Sequence, residues 1–390
     1  MLYRVLSKLD PADYCLISKE NYERGREPGE SANRLKGRYL QLPYESHWWR
    51  LRRHRLGEPV RRLNILWRVW RRAWNIRTLL RQERCEAVVA CTGDLIDMPA
   101  GYLASRLVGI PFFAYLFDDY VFQWRDPWDR RLAGWFGSLI FKRAANVISP
   151  NEYLRDDYQT RYGITPVIIR NPCSRLEWVS ERAPGAQADA NGNEAGIVYT
   201  GYIYCAHYDA FRNLVGAIDK LGRTDFKLHL YTATPEHELA REGILTKSVV
   251  YHGYKSYDEA QSAQQRATVL FLPLAFNSPY PDVIRTSAPG KMGEYLANGR
   301  PVLVHAPRDS FVSWYFRQHR CGVVADENNP GAVLRALEEI IENKELRRLI
   351  SRNGIERARS DFCLETAQNA FHQLFATRKE HRPGAGSERT

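Results

Sequence analysis

Residues 278–304 read S-P-Y-P-D-V-I-R-T-S-A-P-G-K-M-G-E-Y-L-A-N-G-R-P-V-L-V, and the fold turns on this stretch. Pro289-Gly290 punctuates a loop, Lys291 to Asn298 reads as a short helix, Gly299 stops it, and Pro301 to Val304 resumes as a buried strand. A glycine-containing loop at a helix start presents free backbone N–H groups, which suit a phosphate. Arg285 and Lys291 flank that loop with two fixed cations. Glu294 lies one turn into the helix, where a carboxylate can accept hydrogen bonds from the hydroxyl pair of a sugar. Each feature alone is common, and an ordinary loop–helix–strand unit with a surface Lys and Glu would show the same string.

Working outward, the same alternation continues on both sides. Before the motif, strands are expected at Ile197–Thr200, Lys227–Tyr231, Val249–His252 and Thr268–Leu272. Helices lie between them at Ala210–Leu221, Glu236–Glu242 and Tyr257–Arg266. After it come a helix near Phe311–Arg317, a strand at Gly322–Ala325, and helices at Pro330–Glu342, Leu346–Arg357 and Leu364–Phe375. Apolar strands that do not alternate, separated by helices, predict a parallel sheet covered on both faces.

Glu181 to Ala195 has no apolar periodicity and is rich in Ala, Gly, Asn and Pro, the composition of a linker. The region before it repeats the pattern. Strands are expected at Tyr14–Ser18, Arg38–Leu42, Ala87–Ala90, Pro111–Phe117, Asn146–Ser149 and Pro166–Ile169, with polar loop over 20–36. Helices are expected at Leu2–Leu9, Arg61–Gln82, Met98–Leu107, Arg131–Arg143 and Glu152–Tyr162. The organisation is therefore a first domain over 1–180, a linker over 181–195, a second domain over 196–360, a closing helix over 361–376 and a disordered tail over 377–390. Loops at the C-terminal ends of the strands form the binding crevice of such domains. In the first domain they carry Asp94, Asp97, Asp118 and Asp119, and the last two could bind an acceptor hydroxyl or serve as a helix cap and salt bridge.

A chain of 390 residues is long enough for two cores. Seven cysteines without a C-x-x-C pair exclude a disulfide scaffold or structural zinc site and fit a reducing cytoplasm. Neither a signal-peptide h-region nor an apolar run near 18 residues is present, so membrane contact is expected to be peripheral. The net charge of +11 is concentrated: Arg50 to Arg84 holds twelve arginines against two glutamates. On a helical projection of 61–82, Arg61, Arg68, Arg71 and Arg72 share a polar arc with Asn64, Asn75 and Thr78. Opposite them lie Leu63, Ile65, Leu66, Val69, Trp70, Ala73, Trp74 and Ile76. With Trp48, Trp49 and Trp67 nearby, residues 50–84 suit an anionic membrane surface. A solvated arginine face is the bland reading, and no motif supports nucleic acid as a partner.

The 289–302 segment resembles the donor motif of GT-B retaining glycosyltransferases of family 4, written roughly P-x-K-x-x-E-Y-L-A-x-G-x-P-V. Pro289, Lys291, Glu294, Tyr295, Leu296, Ala297, Gly299, Pro301 and Val302 match it. The resemblance implies two Rossmann-like domains facing across a cleft, a closing helix that crosses back to the first, and a nucleotide-sugar substrate (UDP- or GDP-sugar) without a permanently bound cofactor or metal. It assigns Glu294 to the nucleotide ribose, with Pro289 and Gly290 in the phosphate loop. Val198-Tyr-Thr-Gly201 matches the first C-domain strand and glycine turn.

Three departures accompany the match. Relatives carry Arg directly after that glycine and Lys several residues later, where this chain has Tyr202 and, roughly, His207. The first glutamate of the family's E-x7-E falls on Thr286, which implies a hydroxyl or backbone contact to the sugar, and His305–Ser313 is expected near the sugar and diphosphate. No glycine-rich opening loop is visible at the N-terminus, which reads as shortened, rebuilt or started at a misplaced codon. Arg285 and Lys291 are then the candidates for neutralising the diphosphate, with His207 as a further ligand. The expected activity is sugar transfer to a lipid-linked saccharide or another cell-envelope or exopolysaccharide acceptor at the inner face of the plasma membrane. A sugar-nucleotide epimerase of the same fold and a non-catalytic partner of a polysaccharide assembly complex are the alternatives.

Overall fold

The structure is a computed structural model that describes residues 2–19, 35–43, 57–173 and 196–379. Trp48, Trp49 and Arg50 to Arg55, the expected linker at 181–195, most of the 20–36 loop and the tail beyond 379 lie outside the described residues. The chain forms two compact units, one from Met1–Ile169 with Glu365–Thr390, the other from Arg170–Leu364.

The first unit contains α1 (Leu2–Leu6), β1 (Cys15–Ser18), β2 (Arg38–Gln41), α2 (Gly57–Gln82), β3 (Val88–Cys91), α3 (Asp97–Val108), β4 (Phe112–Tyr115), α4 (Pro127–Ile140), β5 (Asn146–Ser149), α5 (Glu152–Tyr162) and β6 (Val167–Ile168). Strands β3 to β6 form a parallel sheet in sequence order, and β1 pairs with β2 in a separate parallel ribbon. Every residue of β4 is buried, because both faces of the sheet are covered. Phe112, Ala114 and Leu116 face a core shared with Val69 and Ile76 of α2, while Phe113 and Tyr115 face the other side.

The second unit contains β7 (Gly196–Thr200), α6 (Tyr208–Leu221), β8 (Lys227–Tyr231), α7 (Glu236–Arg241), β9 (Val249–Gly253), α8 (Tyr257–Arg266), β10 (Val269–Pro273), α9 (Pro281–Thr286), α10 (Met292–Ala297), β11 (Val302–His305), α11 (Phe311–Gln318), β12 (Val323–Ala325), α12 (Pro330–Glu342) and α13 (Lys344–Asp361). Its six parallel strands run in the order β12-β11-β10-β7-β8-β9. The chain first builds outward on one side of β7 and then returns to β10 on the other. That reversal is the topological switch point of a doubly wound sheet, where ligands bind. Residues 281–286, for which no element is predicted above, form the short helix α9, begun by Pro281 at its first position.

The final helix, α14 (Leu364–Lys379), belongs to the first unit. Phe371 and Phe375 stack against Tyr115 and Phe113 at ring separations of 6.1 and 4.6 Å, and Gln368 Nε2 donates to the Arg4 carbonyl at 2.9 Å. Burying a phenylalanine stabilises by about 1.5–3 kcal/mol, so α14 contributes substantially to this side of the sheet.

The orientation of α2 differs from the helical projection. Arg72, placed above on the polar arc, is fully buried between Asp94 Oδ2 at 2.8 Å and Asp97 Oδ1 at 2.5 Å, and Lys19 also pairs with Asp94. The inward face is Ile65, Val69, Arg72, Ala73, Ile76 and Leu80, whereas Leu63, Leu66, Trp67, Trp70 and Trp74 are exposed. A projection sorts residues by polarity alone. Here two aspartates at the start of α3 supply the countercharges that let an arginine point inward. Burial opposes ionisation of Asp94, yet the Arg72 and Lys19 cations hold its carboxyl well below the usual range. No helix among the described residues is long and apolar enough to cross a membrane.

Candidate functional site

Gly201 ends β7 with φ +121°, a backbone conformation that side chains with a Cβ rarely adopt. A Cβ there would stand 2.9 Å from Lys291 Nζ, so the glycine also clears space for that ammonium. The turn is held from beneath, with Tyr199 Oη donating to the Tyr202 carbonyl at 2.9 Å and Thr234 Oγ1 accepting from Ile203 N at 2.8 Å. A backbone hydrogen bond of 2.7 Å from Ala275 N to the Ala206 carbonyl then ties the loop after β10 to the loop after β7. The two loops of the switch point are thus one assembly.

The motif loop is fixed equally tightly. Asn171 Nδ2 donates to the Gly290 carbonyl at 3.1 Å, and a Cβ on Gly290 would come within 2.6 Å of that nitrogen. Tyr295 Oη accepts from Thr200 N at 3.0 Å. Gln264 Nε2 donates to Thr200 Oγ1 at 2.8 Å, and Asn298 Nδ2 donates to Gln264 Oε1 at 2.7 Å. This chain of bonds bolts α10 to the end of β7 and leaves Glu294 almost wholly buried at the junction. The network residues Asn171, Gln264 and Asn298 were not anticipated as site residues. The Asn171-Pro172 dipeptide, a turn signal, was their one local mark in the sequence.

Lys291 carries the electrostatics. Its ammonium lies over the Tyr199 ring, 3.8 Å from the centroid. Burial pushes its pKa down from 10.5 to about 7, against an upward pull from Glu294. Burial and then the Lys291 charge push His207 down to about 3, so its imidazole is neutral at working pH. His207 Nδ1 is buried and has no hydrogen-bond partner among the described residues, while the Tyr204 ring meets the imidazole edge-on at 4.7 Å. His207 is also the N-cap of α6, and its side chain makes no cap bond there. The start of a 14-residue helix, where Ala210 N donates to Asp209 Oδ1 at 2.8 Å, an imidazole nitrogen without a partner among the described residues and an ammonium meet at one end of the sheet.

The remaining candidates separate. Tyr202 is exposed and stacks on Tyr204 at 6.1 Å. Arg285 is half-buried in the last turn of α9, and Pro289 and Gly290 lie in the loop that follows. Thr286 is buried, and its hydroxyl donates to the Asp282 carbonyl at 3.1 Å, so its donor serves its own helix. At the start of the His305–Ser313 segment, His305 is fully buried, with Nδ1 on the Ala325 carbonyl at 2.8 Å and Nε2 at 3.0 Å from Asn213 Nδ2. Arg308 is paired with Asp326 at 2.7 Å, and the cap of α11 is Ser310 rather than Asp309.

In the first unit the aspartate pair divides. Asp119 is buried, caps Val121 N and Phe122 N at 2.8 and 2.9 Å, and is ion-paired with Arg161, which is a structural role inside the turn. Asp118 is exposed at the C-terminal end of β4. Solvent reaches the residue, yet surrounding protein crowds its carboxyl; that partial desolvation, then the Asp119 charge, raises its pKa.

Comparison with known proteins agrees with this geometry. A family model described as "Glycosyl transferase 4-like domain" matches residues 19–172, and one described as "Glycosyl transferases group 1" matches residues 194–343. The chain is a GT-B glycosyltransferase related to the family 4-like and group 1 enzymes. Three solved structures share the GT-B fold with it. A glycosyltransferase from Rickettsia africae ESF-5 is 12% identical with a TM-score of 0.67, covering 94% of this chain and 90% of its own. Sucrose-phosphate synthase from Thermosynechococcus elongatus is 14% identical with a TM-score of 0.62, covering 94% and 89%. Anabaena HepE in complex with UDP-glucose is 14% identical with a TM-score of 0.55, covering 79% and 82%. No protein of curated function matches the glycosyltransferase in sequence. As a GT-B enzyme it acts on a nucleotide-sugar, and the switch point of its second unit brings a cation, a helix start and a carboxylate together.

Proposed function

We propose that this glycosyltransferase retains configuration, works without a metal ion, and moves a sugar from a nucleoside-diphosphate sugar to a lipid-linked saccharide or other cell-envelope glycan at the inner face of the plasma membrane. The observation that carries the reading is the Lys291 ammonium, set over Tyr199 and under the Gly201 turn. A diphosphate arriving there meets a positive charge and the start of α6, and His207 Nδ1 is left to bond it. Glu294, buried one turn beyond, suits the ribose hydroxyls. Arg285 adds a second cation beside the loop.

In the reaction, the bond from the sugar's anomeric carbon to the phosphate oxygen breaks. A bond to the acceptor oxygen forms on the same face, and the acceptor proton leaves with the nucleoside diphosphate. Lys291 and the α6 amides offset the charge that grows on the departing phosphate. Neutralisation by fixed protein cations is what supports metal independence. Asp118, exposed with a raised pKa, is the carboxylate best suited to hold an acceptor hydroxyl. The UDP-glucose complex of HepE makes uridine donors the first to test.

The test is incubation of the full chain with UDP- and GDP-sugars, with and without lipid-linked acceptors, read by mass spectrometry. Calorimetric titration of the free nucleoside diphosphates accompanies it. Transfer that needs acceptor supports the proposal. Isomerised donor without acceptor would make the protein an epimerase, binding without turnover would make it an assembly partner, and failure to bind any nucleoside diphosphate would overturn the site.

A further inference from the structure

Five large apolar side chains stand exposed on α2: Leu63 at 68%, Leu66 at 43%, Trp67 at 36%, Trp70 at 56% and Trp74 at 47%. Their spacing places them within about 100° of one another around the helix axis, along about 17 Å of its length. This is a second apolar stripe, separate from the Ile65, Val69, Ala73, Ile76 and Leu80 face that packs into the core. A helix with one buried apolar face has no need of another on its outer side.

Arginines border the stripe and rest upon it. The Arg71 guanidinium lies 5.1 Å from the Trp67 ring, and that of Arg77 lies 4.5 Å from the Trp74 ring. At the start of the helix, Arg62 lies 5.0 Å over the Trp128 ring of α4. Trp128, Trp135 and Leu139 repeat at seven and four residues and so share one face of α4, where Trp135 is 55% and Leu139 37% exposed. The two outer stripes therefore meet at Arg62. They form a Trp- and Leu-rich surface edged by cations and free of carboxylates along α2 from Arg62 to Gln82.

We propose that this outer face of α2, continued onto α4, is a docking surface for an anionic lipid interface. The wedge consists of Leu63, Leu66, Trp67, Trp70 and Trp74, with Arg62, Arg71 and Arg77 set against headgroup phosphates. Tryptophan suits that depth because its ring is apolar while its N–H still finds a polar partner. The charge argues for lipid over a second copy of the chain, since two such faces would bring like-charged arginine borders together. Arg72 takes no part, being buried between Asp94 and Asp97. The inference deepens the functional reading and rests on it in one respect, that a lipid-borne acceptor gives the surface its use.

The experiment uses the full chain and co-sedimentation with phosphatidylcholine vesicles, with and without phosphatidylglycerol. UDP calorimetry on every variant reports separately on the second unit, so failure of docking and failure of the donor reading are told apart. Wild type is expected on the anionic vesicles only, with binding that weakens as salt is raised. Each Arg→Gln change should weaken binding about fivefold, and Arg62→Gln, Arg71→Gln and Arg77→Gln together about 100-fold. Trp70→Ser with Trp74→Ser should abolish binding at any salt while UDP affinity holds. Equal binding to neutral and anionic vesicles, or none to either, overturns the proposal whatever UDP does. A wild-type dimer that the Trp variants split would make the surface a self-interface and overturn it too.

Discussion

Replacing Lys291 with methionine is expected to stabilise the protein while destroying its affinity for nucleoside diphosphate. Burial lowers the pKa of this lysine from 10.5 to about 7, which at about 1.4 kcal/mol per pH unit is a cost near 5 kcal/mol. The Tyr199 face, 3.8 Å away, returns about 2 kcal/mol of that through cation–π attraction. The net gain from methionine is then about 3 kcal/mol. For a unit of this size it should raise the melting temperature by about 6–10 °C.

The pH dependence has a definite sign. Because the folded-state pKa is depressed, the folded protein binds fewer protons than the unfolded chain between about pH 7 and 10.5. The lysine's penalty is therefore full below pH 7 and fades as pH rises through that window. The melting difference between Lys291→Met and wild type should be greatest at or below pH 7 and shrink towards pH 10, a comparison in which all other titrating groups cancel. UDP binding to wild type should take up a proton above pH 7, visible as an enthalpy that changes with the buffer's ionisation heat. A variant that melts lower than wild type, a melting difference independent of pH, or undiminished UDP affinity would refute the reasoning.

Glu294→Ala should weaken UDP binding by about 1.5–3 kcal/mol, the range for charge-assisted hydrogen bonds, and calorimetry on both proteins checks it. Gly201→Ala forces a Cβ into a left-handed turn and against Lys291 Nζ. It should lower stability by about 1–3 kcal/mol as well as UDP affinity, in contrast to Lys291→Met, which lowers affinity alone. Asp119→Ala strands Arg161 and two backbone N–H groups, which should cost about 3–5 kcal/mol in thermal or urea unfolding. Asp118→Asn should hold or raise the unfolding midpoint near neutral pH, because the fold disfavours the charged carboxylate there, while lowering kcat, and unchanged turnover would remove Asp118 from the acceptor side.

Much of the fold was legible because its strands are short, apolar and flanked by clear stops. Val88–Cys91, Phe112–Tyr115 and Val302–His305 lie within two residues of the positions their composition predicts. Lys291, Gly201 and His207 were legible as candidates, and the structure brings them together. What composition could not supply was the location of countercharges. Arg72 looked like its neighbours Arg68 and Arg71 until Asp94 and Asp97 were in place beside it. The partners of His305 and Thr286, namely Ala325, Asn213 and Asp282, were illegible for the same kind of reason, since they are a matter of packing. The network of Asn171, Gln264 and Asn298 was invisible because asparagine and glutamine carry no periodic signal, and their roles exist only once β7, α8 and α10 are adjacent.

The return of α14 to the first unit has a consequence for biosynthesis. Phe371 and Phe375 cover Phe113 and Tyr115, yet they leave the ribosome only after the whole of Arg170–Leu364 has done so. The second unit is continuous and can mature as soon as it emerges. The sheet of the first unit must wait with one face bare, holding hydrophobic surface open through the translation of its neighbour. Released chains truncated at residue 364 should therefore be protease-resistant in the second unit, sensitive in the first, and clients of holding chaperones for want of the last helix.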